Sequence, residues 1–308
     1  MKTEGKIFMK IKQKKLLKKL SIALLACLML ILSPISVLAD SGTPYIALGA
    51  DLTETERAKV LELLGVKESD LANYTVVEIT NEEEHKYLDS YLSSSIIGSR
   101  ALSSVMVVGK GEGNGIKVTT QNISYCTVGM YQNALATAGI ENADITVVGP
   151  FQISGTAGLV GAIKAYENMT GEAVDEEQID AATNELVITS ELADTLSDSG
   201  TAEELVGFIK NEVVDKDLSE EEIDSLVTQA AEEFQVELSE EDRQKIVDLM
   251  EQIKGLDLDV SKLQEQVSNL YDRIQDLDLN INLTEEQKGF LSNLFNKIVD
   301  FFTNLFNS

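Results

Sequence analysis

Nucleophilic chemistry in this chain has a single route through histidine, because His85 is the only histidine in 308 residues. A two-histidine zinc site within one chain is therefore excluded, and any hydroxyl or thiol nucleophile paired with imidazole must use His85. Cys126 is the candidate partner. It lies just before a segment of helical character, where the helix dipole lowers a thiol pKa. His85, however, stands among Glu82, Glu83, Glu84 and Lys86, the composition of a solvated helix face. The expectation is a Cys126 buried as a small apolar residue, with no dyad.

Anion binding has two candidate stretches. ISGTAGLVG, residues 153–161, precedes an apolar helical run, and backbone N–H groups at a helix start, with the Ser154 and Thr156 hydroxyls nearby, suit a phosphate or carboxylate. The same small residues also let a helix pack closely on a strand, which is the expected use. GKGEGNG, residues 109–115, has glycine at every second position. It is neither a Walker loop, since Ile116 follows Gly115, nor a dinucleotide fingerprint leading into a helix. Strand-like residues flank it on both sides, so it is expected to be a flexible hairpin loop.

Residues 153–161 do not form a GxSxG elbow either, because Gln152 and Ile153 precede Ser154. Asp257, Asp259 and Ser261 lack the glycine and the twelfth-position glutamate of an EF-hand. With 52 acidic residues, spacing alone marks no glycosidase pair. The sequence therefore assigns no catalytic residue, no cofactor-binding residue, no metal ligand and no cofactor.

The elements that must position these residues follow from periodicity and caps. Residues 51–65 predict a helix capped by Thr53 and stopped by Gly65. Residues 74–80 predict a strand, and Asn81 with Glu84 predicts the capping box of a second helix. Residues 101–108 and 116–123 predict two antiparallel strands, followed by a helix over 127–138 and a strand over 144–149. A helix capped by Ser154 or Thr156 is then stopped by Gly171, and further helices cover about 175–186 and 201–214. The fold class is α/β, a mixed sheet covered by helices, followed by an all-α, partly coiled-coil C-terminal region.

After Lys216 strand-like segments largely disappear, and the helix start LSEEE at Leu218 recurs as LSEED at Leu238 and LTEEQ at Leu283. Shared cap chemistry explains the recurrence. Within the tail, residues 215–308, the heptads over 246–277 place Ile246, Ile253, Val260, Val267 and Ile274 at one position and Leu249, Leu256, Leu263, Leu270 and Leu277 at the other. That pattern suits a two-stranded coiled coil, although Gly255 interrupts it. A helical hairpin within one chain shows nearly the same stripe, so the partner of the seam stays open. Residues 284–307 predict an amphipathic terminal helix with Phe290, Phe295, Phe301, Phe302 and Phe306 on its apolar stripe and no strongly basic face. Docking on the protein's own helices is the expected use.

The first 39 residues read as a signal peptide, with eight lysines, an apolar run over 20–38 and a cleavage pattern ending at Ala39. Retention of that run as an anchor is the other reading; a lipoprotein box at Cys27 fits poorly, because a greasy segment follows it. Eight of 25 cations and one of 52 acids leave with the signal, so the mature chain carries 17 against 51, a net charge of −34. Such a field gives nucleic-acid binding no support. Cys126 is then the lone cysteine, and packing alone must hold residues 40–214 together.

YIALGADLT, ITNEEEHKYL, the strands ending in NIS, MYQNALATAGI, VVGPFQISGTAGLVGAIKAYE and NELVITSELA together resemble the YpuA-like secreted domain of Gram-positive bacteria, over about residues 45–214. The resemblance implies export and an envelope setting; that family's domain is one of unknown function, so it carries no catalytic residue. The expected function is that of a secreted or envelope-associated, non-enzymatic protein. Its helical tail would mediate self-association or binding of an envelope protein, and membrane contact would come only through an uncleaved signal or the terminal helix. A secreted hydrolase acting on an envelope polymer through unidentified carboxylates is the alternative.

Overall fold

A computed structural model describes residues 44–256 and Leu258, apart from Asp217. The order of elements is β1 (Tyr45–Gly49), α1 (Glu54–Leu63), a 3-10 helix (Glu68–Asn73), β2 (Thr75–Ile79), α2 (Asn81–Leu88), α3 (Ser94–Ile97), β3 (Ser104–Gly109), β4 (Ile116–Ile123), α4 (Val128–Thr137) and β5 (Ala143–Ile153). Five helices follow: α5 (Thr156–Thr170), α6 (Glu176–Leu196), α7 (Ser199–Lys216), α8 (Glu220–Glu233) and α9 (Glu240–Lys254). The signal segment, most of the heptad run, the terminal phenylalanine helix and the Asp257, Asp259 and Ser261 trio lie outside the described residues.

The sheet runs β2-β1-β3-β5-β4, with β1 parallel to β2, β4 parallel to β5, and β3 antiparallel to both its neighbours. The mixed α/β class is as expected, but the hairpin is not. β3 and β4 never pair; β5 lies between them. The reason is visible in burial. β4 alternates buried Ile116 and Val118 with exposed Lys117 and Thr119, so one of its faces stays wet, as an edge strand allows. β5 buries Ile145, Val147 and Val148 across both faces and takes the inner position. It also continues through Pro150 to Ile153, because the β4 ladder is already interrupted between Gln121 and Ile123, where a missing N–H costs no bond.

Caps decide where the helices start. Thr53 and Glu56 form the capping box of α1, Thr127 accepts from the Met130 N–H at 3.2 Å, and Ser219 and Ser239 cap α8 and α9. The first two LSEE repeats are thus caps, while LTEEQ lies outside the described residues. In α2 the box is one residue earlier than expected: Thr80 and Glu83 form it, not Asn81 and Glu84. Gly155 in the left-handed region, φ 95°, stands where Ser154 or Thr156 was expected to cap α5. Helix α6 outruns the expected 175–186 by ten residues.

One face of the sheet packs Ile46, Leu48 and Val148 against Val60, Leu61 and Leu64 of α1 and its flank. The other packs Ala47, Val105, Val107, Ile145 and Val147 against α4 and α5. Helices α6 to α9 form a further layer whose apolar residues join this second cluster. Each large side chain so buried contributes about 1.5–3 kcal/mol. Ile246, Leu249 and Ile253, the first three heptad residues, are fully buried in the chain's own core. Over the described part of the run, the seam is therefore intramolecular; no coiled coil is seen there.

Candidate functional site at the carboxyl edge of the sheet

Four of the five strands point the same way, so their carboxyl ends lie on one edge and deliver the N-termini of α1, α2, α4 and α5 to it. Open α/β sheets place ligands at this edge, where helix N-termini and loops converge. The glycine loop 109–115 sits at the opposite edge, because β3 runs the other way and β4 starts there. Its groups are also taken. Lys110 pairs with Asp144 at 2.8 Å, the Lys110 N–H donates to Asn142 O at 2.8 Å, and the Gly115 N–H donates to Asn142 Oδ1 at 3.1 Å. The loop carries the chain across the start of β5 from β3 to β4.

The stretch 153–161 does hold an anion, and that anion is internal. The Thr156 hydroxyl donates to Glu84 Oε1 at 2.5 Å, the Ala157 N–H bonds the same carboxyl, and Asn81 Nδ2 donates to Glu84 Oε2 at 3.3 Å. Glu84 is only 1% exposed, and burial raises its pKa against those hydrogen bonds. The one-residue shift of the α2 capping box makes this possible: Glu83 caps outside, and Glu84 is free to turn inward to the positive end of α5. The close packing expected of the small residues is present as well. A Cβ on Gly155 would meet Ile123 at 2.5 Å, and one on Gly158 would meet Val147 at 2.6 Å.

Cys126 and His85 do not form a dyad. Cys126 is buried, and burial pushes its thiol up to about 12, with Tyr131 opposing and the Glu84 charge adding. Tyr131 in turn donates to Gly155 O at 2.5 Å. His85 commits both ring nitrogens elsewhere: Nδ1 to Asp89 Oδ1 at 2.6 Å and Nε2 to Gly98 O at 3.1 Å. The Asp89 bond, followed by the Gly98 carbonyl, raises the imidazole pKa. An inert thiol and a tethered imidazole cannot share a proton in nucleophilic attack.

Beside this edge lies a polar seam between α4, α6 and α7. Thr127 donates to Glu203, whose carboxyl covers Gly129. Lys210 and Glu185, both fully buried, pair at 2.7 Å; Lys210 also donates to Asn133 O at 2.9 Å and to Thr137 Oγ1 at 3.1 Å. Sequence reasoning found none of these roles. Lys210 within the apolar GFIKNEVV run was the one available signal. Elsewhere, a hollow of about 350 Å³ is lined by Glu176, Glu177, Asp180, Gln252, Gly255 and Leu256. Its three carboxyls share the start of α6, so they do not face each other across a cleft as glycosidase acids do. Among the described residues no cluster of ligand-type side chains could hold a metal ion, and no helix is long and apolar enough to cross a membrane.

A mixed α/β sheet with an internally filled carboxyl edge places the chain structurally, and comparison places it by descent. Residues 48–270 match the model of the family described as protein of unknown function DUF1002, and the chain belongs to that family. The match runs past residue 214 into the heptads. The Uncharacterized protein YpuA of Bacillus subtilis (strain 168) is 37% identical over 297 residues, covering 95% of this chain and 98% of that protein. No solved structure matches.

Proposed function

We propose that this protein is exported to the cell envelope or beyond and acts by association rather than by catalysis. The observation that carries this reading is that every candidate reactive group at the carboxyl edge is consumed internally. Glu84 fills the α5 N-terminus, Cys126 is buried, and His85 is held by Asp89 and Gly98. The leader-like first 39 residues and the acidic mature chain support an extracytoplasmic setting. The associating region is residues 259–308, because the described heptad residues through Leu256, and Leu258 after them, already pack on the protein's own core. Its partner is a second copy or an envelope protein.

Two measurements test this. N-terminal sequencing of the protein recovered from medium and envelope fractions is expected to begin at Asp40; recovery only from cytosol, with Met1 retained, overturns export. Sedimentation velocity of the mature chain is expected to show self-association or capture of an envelope component that a chain ending at Leu258 lacks. Identical monomeric behaviour of the two, with and without envelope extract, removes the association claim.

A further inference from the structure

We infer that His85 is a pH-operated clamp at the carboxyl edge of the sheet: its doubly protonated imidazole ties the Gly98 turn to α2, and loss of one proton releases that turn. The ring stands between two acceptors. Nδ1 lies 2.6 Å from Asp89 Oδ1, and Nε2 lies 3.1 Å from the Gly98 carbonyl. A neutral imidazole carries one N–H and can donate to only one of them, whereas the imidazolium donates to both. Gly98 presents its carbonyl from a backbone conformation, φ 87° and ψ −173°, that is open essentially to glycine alone, and its N–H is bonded back to Ser94 O at 2.9 Å. Asn81 Nδ2, 3.4 Å from the same carbonyl, is a longer second tie that does not titrate.

The turn is a hinge between two anchored parts. Before it, Leu92 and Ile97 pack with Leu88 of α2 on Val187 of α6. After it, Arg100 pairs with Glu56 at 2.5 Å and donates to Asp51 O at 2.7 Å, and the Ala101 N–H donates to Asp51 Oδ2 at 2.8 Å. His85 thus joins the α2 side of the edge to the α1 side. The charges that bear on the imidazole favour its cation: Asp89 first, with Glu84 adding. Helix α3 carries no titratable side chain. The other charged neighbours are engaged: Lys86 with Glu176 of α6, Lys164 of α5 with Glu83, Asp180 of α6 with Gln252, and Glu167 of α5 with the Val174 N–H. The two hydrogen bonds hold the imidazole pKa above its ordinary value of about 6.5, so the clamp is fully closed below that pH and opens as pH rises through the raised value. The proton that stays is the one facing Asp89, because a carboxylate at 2.6 Å holds it more strongly than a carbonyl at 3.1 Å. Nε2 then turns a lone pair on the Gly98 oxygen, and the turn parts from α2.

His85 is the only histidine, so its ring signals in the full mature chain are unambiguous. Long-range proton–nitrogen NMR of the ring is expected to show both nitrogens protonated at pH 5.5, a midpoint above about 6.5, and a neutral form whose proton sits on Nδ1. Hydrogen exchange, expressed as protection factors so that intrinsic pH dependence is removed, reads the turn itself. Between pH 5.5 and pH 9 the amides of Ile97 and Gly98 are expected to lose at least about fivefold more protection than those of Val105 and Val147 in the sheet. In H85Q that excess is expected to vanish, and in D89N the imidazole midpoint is expected to fall. A midpoint at or below about 6.5, a neutral form with its proton on Nε2, equal pH sensitivity of turn and sheet, an undiminished excess in H85Q or an unmoved midpoint in D89N would each overturn the clamp.

Discussion

Removing the ammonium of Lys210 is expected to be among the most damaging single changes in the described core. Its Nζ lies 2.7 Å from Glu185 Oε1 with both side chains fully buried, and the Thr137 hydroxyl closes the network onto Glu185 Oε2 at 2.5 Å. At an effective dielectric of about 20, charges at that separation attract by roughly 6 kcal/mol, against a desolvation cost of several kcal/mol per ion. The pair is therefore near break-even as a unit, but half of it is not. Lys210→Met leaves a buried carboxylate without its cation, and about 3–5 kcal/mol of stability is lost at pH 7. For a domain of this size the melting temperature falls by about 6–20 °C. Denaturant unfolding of Lys210→Met, Glu185→Leu and the double variant gives the coupling directly. The double variant is expected to be more stable than either single one. A Lys210→Met loss below about 1 kcal/mol, or singles that simply add, refutes the claim that the two charges sustain each other.

Stability is expected to fall from pH 5.5 to pH 7.5. Burial pushes the Glu203 and Glu204 carboxyls up to about 7, so each contributes stability when protonated that is lost as pH rises through 7. The buried Glu204 alone accounts for about 2 kcal/mol over that window; equilibrium unfolding in urea with the opposite slope contradicts it. Below about pH 4 the trend reverses as Glu56, held at about 2 by Arg100, protonates. Glu84→Ala, which strips the start of α5 of its acceptor, is expected to lose about 2 kcal/mol more than Glu84→Gln by thermal melting, whereas equal losses would deny Glu84 its role as the acceptor at that helix start. Gly155→Ala, forced into φ 95° against Ile123, is expected to lower stability by at least about 2 kcal/mol; a neutral effect in calorimetry would show that the turn relaxes. Cys126 in the native protein is expected to react with iodoacetamide at least about a hundredfold more slowly than in urea, and comparable rates would place the thiol at the surface.

Local signals carried the sequence reading a long way. Thr53, Ser219 and Ser239 were legible as caps because a cap is a bond between residues three apart. Gly171 was legible as a stop because glycine takes the left-handed conformation that ends a helix, here φ 75°. The mixed class followed from alternation in 116–123 and branched runs in 74–80 and 144–149. Strand order was not legible. Adjacent strands joined by a glycine loop look like a hairpin until the burial of β5 on both faces is known, and burial is a property of the assembled sheet.

The candidate site divides along the same line. From sequence alone came the absence of any two-histidine zinc site, the burial expected of Cys126, and the recognition of 153–161 as a helix start fit for an anion. Only the tertiary structure decided which anion. Thr80 and Asn81 can each begin a capping box, with Glu83 or Glu84, and the two registers differ by one residue and about 100° of helix rotation. Packing of α2 on α5 selects the first, which turns Glu84 onto the α5 N-terminus some seventy residues away in sequence. The heptads follow the same rule. Their period is written in the sequence, but a stripe does not name its partner, and for Ile246, Leu249 and Ile253 the surrounding helices of the same chain supply it.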